Sequence, residues 1–595
     1  MTKVKIEQTV EVSFVVRVFL WIVLAAGIVV VAMHVGNARS VARQNVPANP
    51  IAAIEQLVRG ELRWPPGATT TLIVAITIIA LGRLALIAIR ELGARAGRAV
   101  DQKALFMATG KALAPLTATT AREKANSLGI RLGDDDAPGV FIGTSVMGAE
   151  RLYGSHQDLY LDIWGPRQGK STCRAIPAIV DALGPVIATS NNRDIVDATR
   201  RVRAAKGSSI WVFDPDGVAG EAPEWFWDPI AWVGGDDVRA AHLARHFADA
   251  DKRTDAHDYF EIEGEELLAA LFLAASVDRR SIVQVWEWVT YPQDTEPLEL
   301  LRKHQRSFAA AGLAAVYNMD IRQQHGIFGT AKKMVRCLKF TGIHPWITPD
   351  SDRQSFDEAE FIDTRGTLYA LSIGGRSAAA PLISAFVEAV LDVAAARYGT
   401  GTPSLAVLDD AANVVRWRDF PQRYGYYGSR GVVVMTLLQS WAQGVRCWGR
   451  DGMNELWSAA TIKSVGSGVD DVPFLRDRMD GIGDHDVESR KVTVSTRGIG
   501  YSKSITSTST LGVSELRSLP RGRAVLFTSG TPPVLVETEP WWEGPHADEV
   551  RASIDRYGIR SMRSLIERGD DSGQPGQVYD GRTDANVPPS ERDPM

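Results

Sequence analysis

The stretch Asp158 to Thr172, DLYLDIWGPRQGKST, restricts what this chain can fold into more than any other. A strand-like run ends at Trp164, a glycine-bounded loop follows, and Lys170 and Ser171 open an amphipathic helical pattern. A strand that turns through glycines straight into a helix belongs to a parallel sheet, because the helix is the crossover to the next strand. The loop also carries chemistry. Gly165, Pro166, Arg167, Gln168 and Gly169, with Lys170, Ser171 and Thr172 at the helix start, form a cradle for ATP. Backbone N–H groups of such a loop converge on anionic oxygens. Lys170 is expected to reach the β- and γ-phosphates and the Ser171 hydroxyl to ligate Mg²⁺. One departure is plain: the first glycine of G-x-x-x-x-G-K-[ST] would fall at Trp164, and Gly165 sits one place late. Either the turn is re-shaped around Gly165-Pro166, or the loop binds nucleotide and hydrolyses it poorly.

A phosphate loop needs a second, acidic strand. Ser404 to Asp410 (SLAVLDD) is an apolar run ending in two carboxylates. Asp409 is expected to hold the Mg²⁺ and Asp410 to polarise the attacking water. Asp410 is one methylene shorter than the Glu common at such positions. A third run, Gly431 to Leu438, ends at Gln439, a candidate γ-phosphate sensor between the loop and the acidic strand.

From about 150 to 545, β-branched runs alternate with helical patterns, as in a parallel sheet with crossovers. Residues 236–345 differ, being amphipathic helical pattern with few strand runs, and read as an all-helical insertion. The domain reading is therefore 151–235 and 346–545 for the nucleotide-binding domain, with 101–150 a helical connector and 546–566 a C-terminal helix. Residues 567–595 hold 7 acids and 3 bases with few large apolar side chains, and read as a disordered acidic tail. A composition of 45% hydrophobic and 23% charged residues excludes a fibrous or wholly disordered chain. Cys173, Cys337 and Cys447 are too sparse for a disulfide framework or a zinc site.

Residues 1–110 carry 12 Lys and Arg against 6 Asp and Glu, although the whole chain is −5. Within them lie two apolar runs, about 14–35 and 69–89, the second interrupted by Arg83. Each is near span length. Residues 1–100 thus read as a two-helix transmembrane hairpin with 34–68 outside, and the protein as one of the bacterial inner membrane with its bulk cytoplasmic. A cleaved signal peptide is the competing reading of the first run, and the second run argues against it.

Taken together, these pieces resemble the type IV coupling proteins, the TraG/TraD-like ATPases of conjugation and secretion. The resemblance spans roughly residues 150–540. It rests on the phosphate loop with Pro177 in its helix, Gly184 to Ser190, Asp197 to Arg200, and Ile210 to Pro215. It continues through Leu405 to Asp410, Gln439-Ser440 with Gln443, and Ser514 to Pro533. Departures are Trp164, Asp410, and Ser190-Asn191-Asn192 where many members carry an acidic-lysine pair. The resemblance implies an α/β, RecA-like P-loop motor domain with an inserted all-helical domain. It also implies a homo-hexamer that moves single-stranded DNA with its relaxase toward other secretion-channel components. Arg446, Arg450, Arg476 and Arg478 become candidates for an arginine acting on a neighbour's site. Rival readings are a membrane-tethered docking protein with a vestigial nucleotide site, and a double-stranded DNA or protein-secretion translocase.

Other features carry less. His242 and His246 lie four apart on a helical stretch and read as a solvated face rather than a metal site. Residues 490–510 alternate about a Gly-Ile-Gly turn and bear Arg490, Lys491, Arg497 and Lys503. That basic hairpin reads equally as a DNA-binding element or a solvated one.

Overall fold

The computed structural model describes residues 27–558, apart from 41–42, 96–98, 250–258, 376, 398, 400–401 and 496–497. The chain divides into two units, Met1–Ala99 and Val100–Met595. In the first, a helix over 27–38 precedes the helices Pro50–Val58 and Ala68–Arg95. Val30, Met33, Val46, Ala53 and Leu62 form a small buried cluster there.

The transmembrane hairpin and the membrane localisation are corrected by this unit. Among the described residues no helix is long and apolar enough to cross a membrane. Most of the first run lies outside the described residues. The helix Ala68–Arg95 carries Arg83, Arg90, Glu91 and Arg95, and charges at such positions are costly inside a bilayer.

In the second unit the described strands, in chain order, begin with β1 (Val140–Ser145), β2 (Arg151–Gly154), β3 (Tyr160–Ile163), β4 (Val186–Ser190) and β5 (Ile210–Phe213). Then come β6 (Trp225–Phe226), β7 (Gln354–Ser355), β8 (Thr367–Leu371), β9 (Ser404–Asp409), β10 (Val432–Leu438) and β11 (Ile462–Gly466). The last are β12 (Asp484–Ser495), β13 (Gly498–Ser509), β14 (Arg523–Thr528) and β15 (Thr531–Glu537). Eleven of them make one sheet, ordered β2-β1-β15-β14-β11-β3-β10-β9-β4-β8-β5. From β11 to β5 every neighbouring pair is parallel, and from β11 outward to β2 every pair is antiparallel.

Burial explains the parallel half. Every residue of β9 and β10 is buried, as helices on both faces require. Along β3, Tyr160 joins one core cluster with Ile176, Ile179 and Ile195, whereas Leu161 joins the other with Phe386 and Leu408. The strand β1 lies inside 101–150, the stretch expected to be a helical connector, and β2 follows it directly. Both are short, and β15, which pairs with β1, lies almost 400 residues away, so local pattern carries little trace of them.

Between β5 and β8 the chain builds helices, among them Asp237–Asp249, Tyr259–Val277, Ile282–Thr290, Ser307–Tyr317 and Ile321–Met334. Their Leu243, Leu271, Trp288 and Phe328 belong to the same core cluster as Leu161 of the sheet. After β15 a helix runs Ala547–Tyr557, and the expected tail 567–595 lies outside the described residues. The topology fixes the site by one relation: β10 lies between β3 and β9, parallel to both, so the ends of all three strands open onto one edge.

Candidate nucleotide site

The loop after β3 is held by its neighbours on β11. Trp164 is buried, its indole N–H donates to Ser464 Oγ at 2.6 Å, and its backbone N–H donates to Leu438 O at 3.1 Å. Ser464 in turn donates to Asp162, and Asp162 accepts from Arg174 Nε at 3.1 Å across a fully buried ion pair. Arg174 also donates to the Phe141 carbonyl of β1. This chain of bonds ties the start of the loop to the helix that follows it.

Gly165 packs where a Cβ would meet the Gly468 carbonyl at 2.3 Å, and its N–H donates to Ser467 O at 2.9 Å. Only glycine fits there, so the loop is re-shaped by one residue because β11's following turn occupies the space. Arg167 (φ +59°) and Gly169 (φ +99°) both take the left-handed conformation, which curls the loop. Gln168 accepts from Ser467 Oγ at 2.9 Å.

Lys170 is nearly buried, and among the described residues no group hydrogen-bonds its ammonium. Thr172 Oγ1 turns back to donate to Gly169 O at 3.1 Å. Residues Ser171–Ala175 form a π turn in which Ile176 N–H reaches back to Ser171 O. Pro177 comes next and has no N–H to give, and the widened turn absorbs that missing donor.

Ser171 Oγ donates to Asp409 Oδ2 at 3.0 Å. The other oxygen, Asp409 Oδ1, is buried and has no partner among the described residues. Burial pushes the Asp409 carboxyl up to about 6, while Lys170 and the Ser171 hydroxyl pull it down. A hydroxyl and an orphaned carboxylate oxygen are the hard-oxygen donors that Mg²⁺ takes. The residues present therefore fit that ion.

Asp410 is different. It takes φ +53°, a left-handed turn that Asp tolerates better than longer side chains. Its carboxylate is ringed by amides. Oδ1 accepts from Gln439 Nε2 at 3.2 Å and Gln443 Nε2 at 2.8 Å, and Oδ2 from Asn191 Nδ2 at 2.5 Å and Asn413 Nδ2 at 2.8 Å. Sequence reasoning paired Asp410 with Gln439 in function, noted Asn191 only as a departure from the family, and missed Asn413 altogether. The one usable signal was the position of Asn191, directly after β4, the strand that neighbours β9.

Of the four arginine candidates, Arg446, Arg450 and Arg476 are exposed. Arg478 is not: its guanidinium lies 4.1 Å from the Trp457 ring and 4.9 Å from Phe474. That packing leaves its side chain largely covered.

Residues 403–521 match the family described as the TraM recognition site of TraD and TraG. Over that segment the chain is similar to TraD and TraG. No curated protein matches its sequence. Among solved structures, the plasmid coupling protein TrwB with a non-hydrolysable ATP analogue is 16% identical at a TM-score of 0.48, over 70% of this chain and 92% of that one. Unbound TrwB is 14% identical at 0.47, over 71% and 91%. VirB4 of Thermoanaerobacter pseudethanolicus is 13% identical at 0.39, over 70% and 99%. The matched segment runs from β9 into the turn before β14, so it contains Asp409, Asp410, Gln439 and Gln443.

Proposed function

We propose that the chain is a coupling ATPase of conjugative transfer, hydrolysing ATP in the crevice at the ends of β3, β10 and β9 to recruit and move a relaxase–DNA substrate. The reading rests above all on the Ser171 hydroxyl standing 3.0 Å from the Asp409 carboxylate beneath a glycine loop. The TraD/TraG segment supports the cargo class and a TraM-like partner. Assembly as a ring is part of the same reading, with Arg446, Arg450 and Arg476 exposed for a neighbour's site. We take 151–235 and 346–545 as the motor domain and 236–345 as its insertion.

In this reading the loop N–H groups from Arg167 to Thr172 hold the phosphates, and Lys170 places its ammonium between the β- and γ-phosphates. Ser171 and Asp409 Oδ1 would hold Mg²⁺, which neutralises charge on the phosphoryl oxygens when bound. Gln439 stands at the γ-phosphate end, and Asp410 orients the attacking water once its amide partners yield a lone pair. The saturated carboxylate of Asp410 favours one rival, a docking protein whose nucleotide site is vestigial.

The test is ATP turnover by the full chain with and without single-stranded DNA. DNA-stimulated turnover is expected, falling about a hundredfold or more in Lys170→Ala and Asp409→Asn. Nucleotide binding without turnover in the intact protein would select the docking reading instead.

A further inference from the structure

The arrangement around Asp410 carries a regulatory consequence for the proposed site, and rests on that reading. A carboxylate is an acceptor only, with about four lone-pair positions in its plane. Each of the four side-chain amides facing Asp410 must therefore present its NH₂, and together they fill those positions. No position is left to take a hydrogen from water.

The four are not equally fixed. Gln443 is locked from behind, because its Oε1 accepts the Gln439 backbone N–H at 3.1 Å. Asn413 sits on the same turn as Asp410, its N–H donating to Asp410 O at 2.8 Å. Asn191 comes from a separate strand end, and it is aimed by a surface residue. The exposed Asn192 donates from Nδ2 to Asn191 Oδ1 at 2.7 Å, which turns the Asn191 NH₂ toward Asp410. Asn192 is itself set by its N–H on Ser190 Oγ at 3.1 Å.

We propose that Asn191 is a latch: a positioning residue that keeps Asp410 from water until its amide is drawn away, with Asn192 making the latch accessible from the surface. Drawing it away frees one lone pair of Oδ2 while Gln443 and Asn413 still hold the carboxylate in place. Basal turnover is thereby kept low, and the DNA requirement is in part a requirement to open the latch.

The experiment compares steady-state ATP turnover of the full chain, with and without single-stranded DNA, for wild type, Asn191→Ala, Asn191→Ser, Asn192→Ala and Lys170→Ala. Binding of a fluorescent ATP analogue is measured in parallel. Asn191→Ala is expected to raise DNA-independent kcat by about fivefold, the effect of one ordinary hydrogen bond, with KM unchanged. The ratio of turnover with and without DNA should fall accordingly. Asn191→Ser keeps a donor one bond short of Asp410 and should fall between wild type and Asn191→Ala, whereas the exposed Asn192→Ala, which cannot disturb the core, should move kcat in the same direction by less. Turnover in wild type with kcat unchanged or lowered in both Asn191→Ala and Asn192→Ala overturns the latch and leaves the ATPase reading standing. Turnover absent from wild type and Asn191→Ala alike, at the level of Lys170→Ala, overturns the ATPase reading and the latch with it.

Discussion

Trp164 shows how one residue can be anomalous in a motif and ordinary in a fold. Its ring fills the space above Gly466, where a Cβ would lie 2.4 Å from the indole, and its N–H is spent on Ser464. The departure was legible in the sequence, but its cause was not, since Ser464 and Gly466 lie some 300 residues away. His156 makes a residue-scale prediction of another kind. Its Nε2 is buried with no partner among the described residues, and burial holds its pKa down at about 4 despite nearby Asp136 and Asp158. Unfolded, it returns to about 6.5. Between those values the unfolded chain binds more protons, so stability falls as pH falls. Acidifying from about pH 7.5 to about pH 5 should cost roughly 2 kcal/mol through this group alone. Urea unfolding of wild type against His156→Gln at both pH values should show that difference shrinking in the variant; equal acid sensitivity would mean the ring is solvated. Asp410 belongs to this scale as well. The sequence announced a carboxylate after a buried strand, yet its four amide partners come from β4, from its own turn and from beyond β10, and only the three-dimensional fold brings them together.

At the scale of elements, the hairpin β12–β13 pairs with itself along its whole length, from Asp484 opposite Ser509 to Ser495 opposite Gly498. The expected turn at Gly498-Ile499-Gly500 is strand instead, because register follows side-chain alternation while glycines merely permit turns. At the base, Phe106 stacks on His485 with centroids 3.8 Å apart. Arg490 and Lys503 are register partners further out, and Lys491 is next to them. Since β12 and β13 form a sheet separate from the large one, shortening the hairpin should leave the sheet intact. A variant joining 487 to 506 through Asn-Gly is expected to melt within a few degrees of wild type, about the size of a 1 kcal/mol effect or less. If the basic residues meet phosphates, its affinity for single-stranded DNA by fluorescence anisotropy will fall. The slope of log affinity against log salt will also shrink by about 0.7 for each phosphate no longer neutralised. An unchanged slope would make the hairpin a solvated one. The π turn at Ser171–Ala175 teaches the same lesson about legibility. Pro177 was visible as a fault in a helix, but the structure resolves the fault one turn earlier, at the residues that carry Ser171.

Across the second unit as a whole, the parallel half of the sheet was readable because each chemical motif sits on its own buried strand. The docking of the insertion was not. His242 and His246, four apart on Asp237–Asp249, suggested a solvated face, whereas His246 is only 2% exposed. His242 Nδ1 lies 3.0 Å from Glu388 Oε1, and His246 and Arg423 also bond Glu388, which comes from the helix Ala380–Ala396 packed beside the sheet. Burial alone would raise the Glu388 carboxyl, but His246 and His242 outweigh it and hold the group well below the usual carboxylate range. Arg418 on Asp249 at 3.0 Å and Arg245 on Asp419 repeat the same pairing across the boundary. These bonds join the insertion to the helix over Phe420–Ser429 and the loop before it, directly after the strand that ends in Asp409. With a shared apolar core as well, the two should behave as one cooperative body, giving a single calorimetric transition in wild type. Removing Glu388 leaves Arg423 and two histidines facing a buried gap. Such a loss of one partner costs about 3–5 kcal/mol, far more than the pair itself contributes. Glu388→Ala should therefore lower the melting temperature by several degrees or more and split the transition, the insertion melting first. Glu388→Gln, which keeps the volume and an acceptor, should fall between the two. A single unshifted transition in Glu388→Ala would mean that the apolar core alone joins the insertion to the sheet.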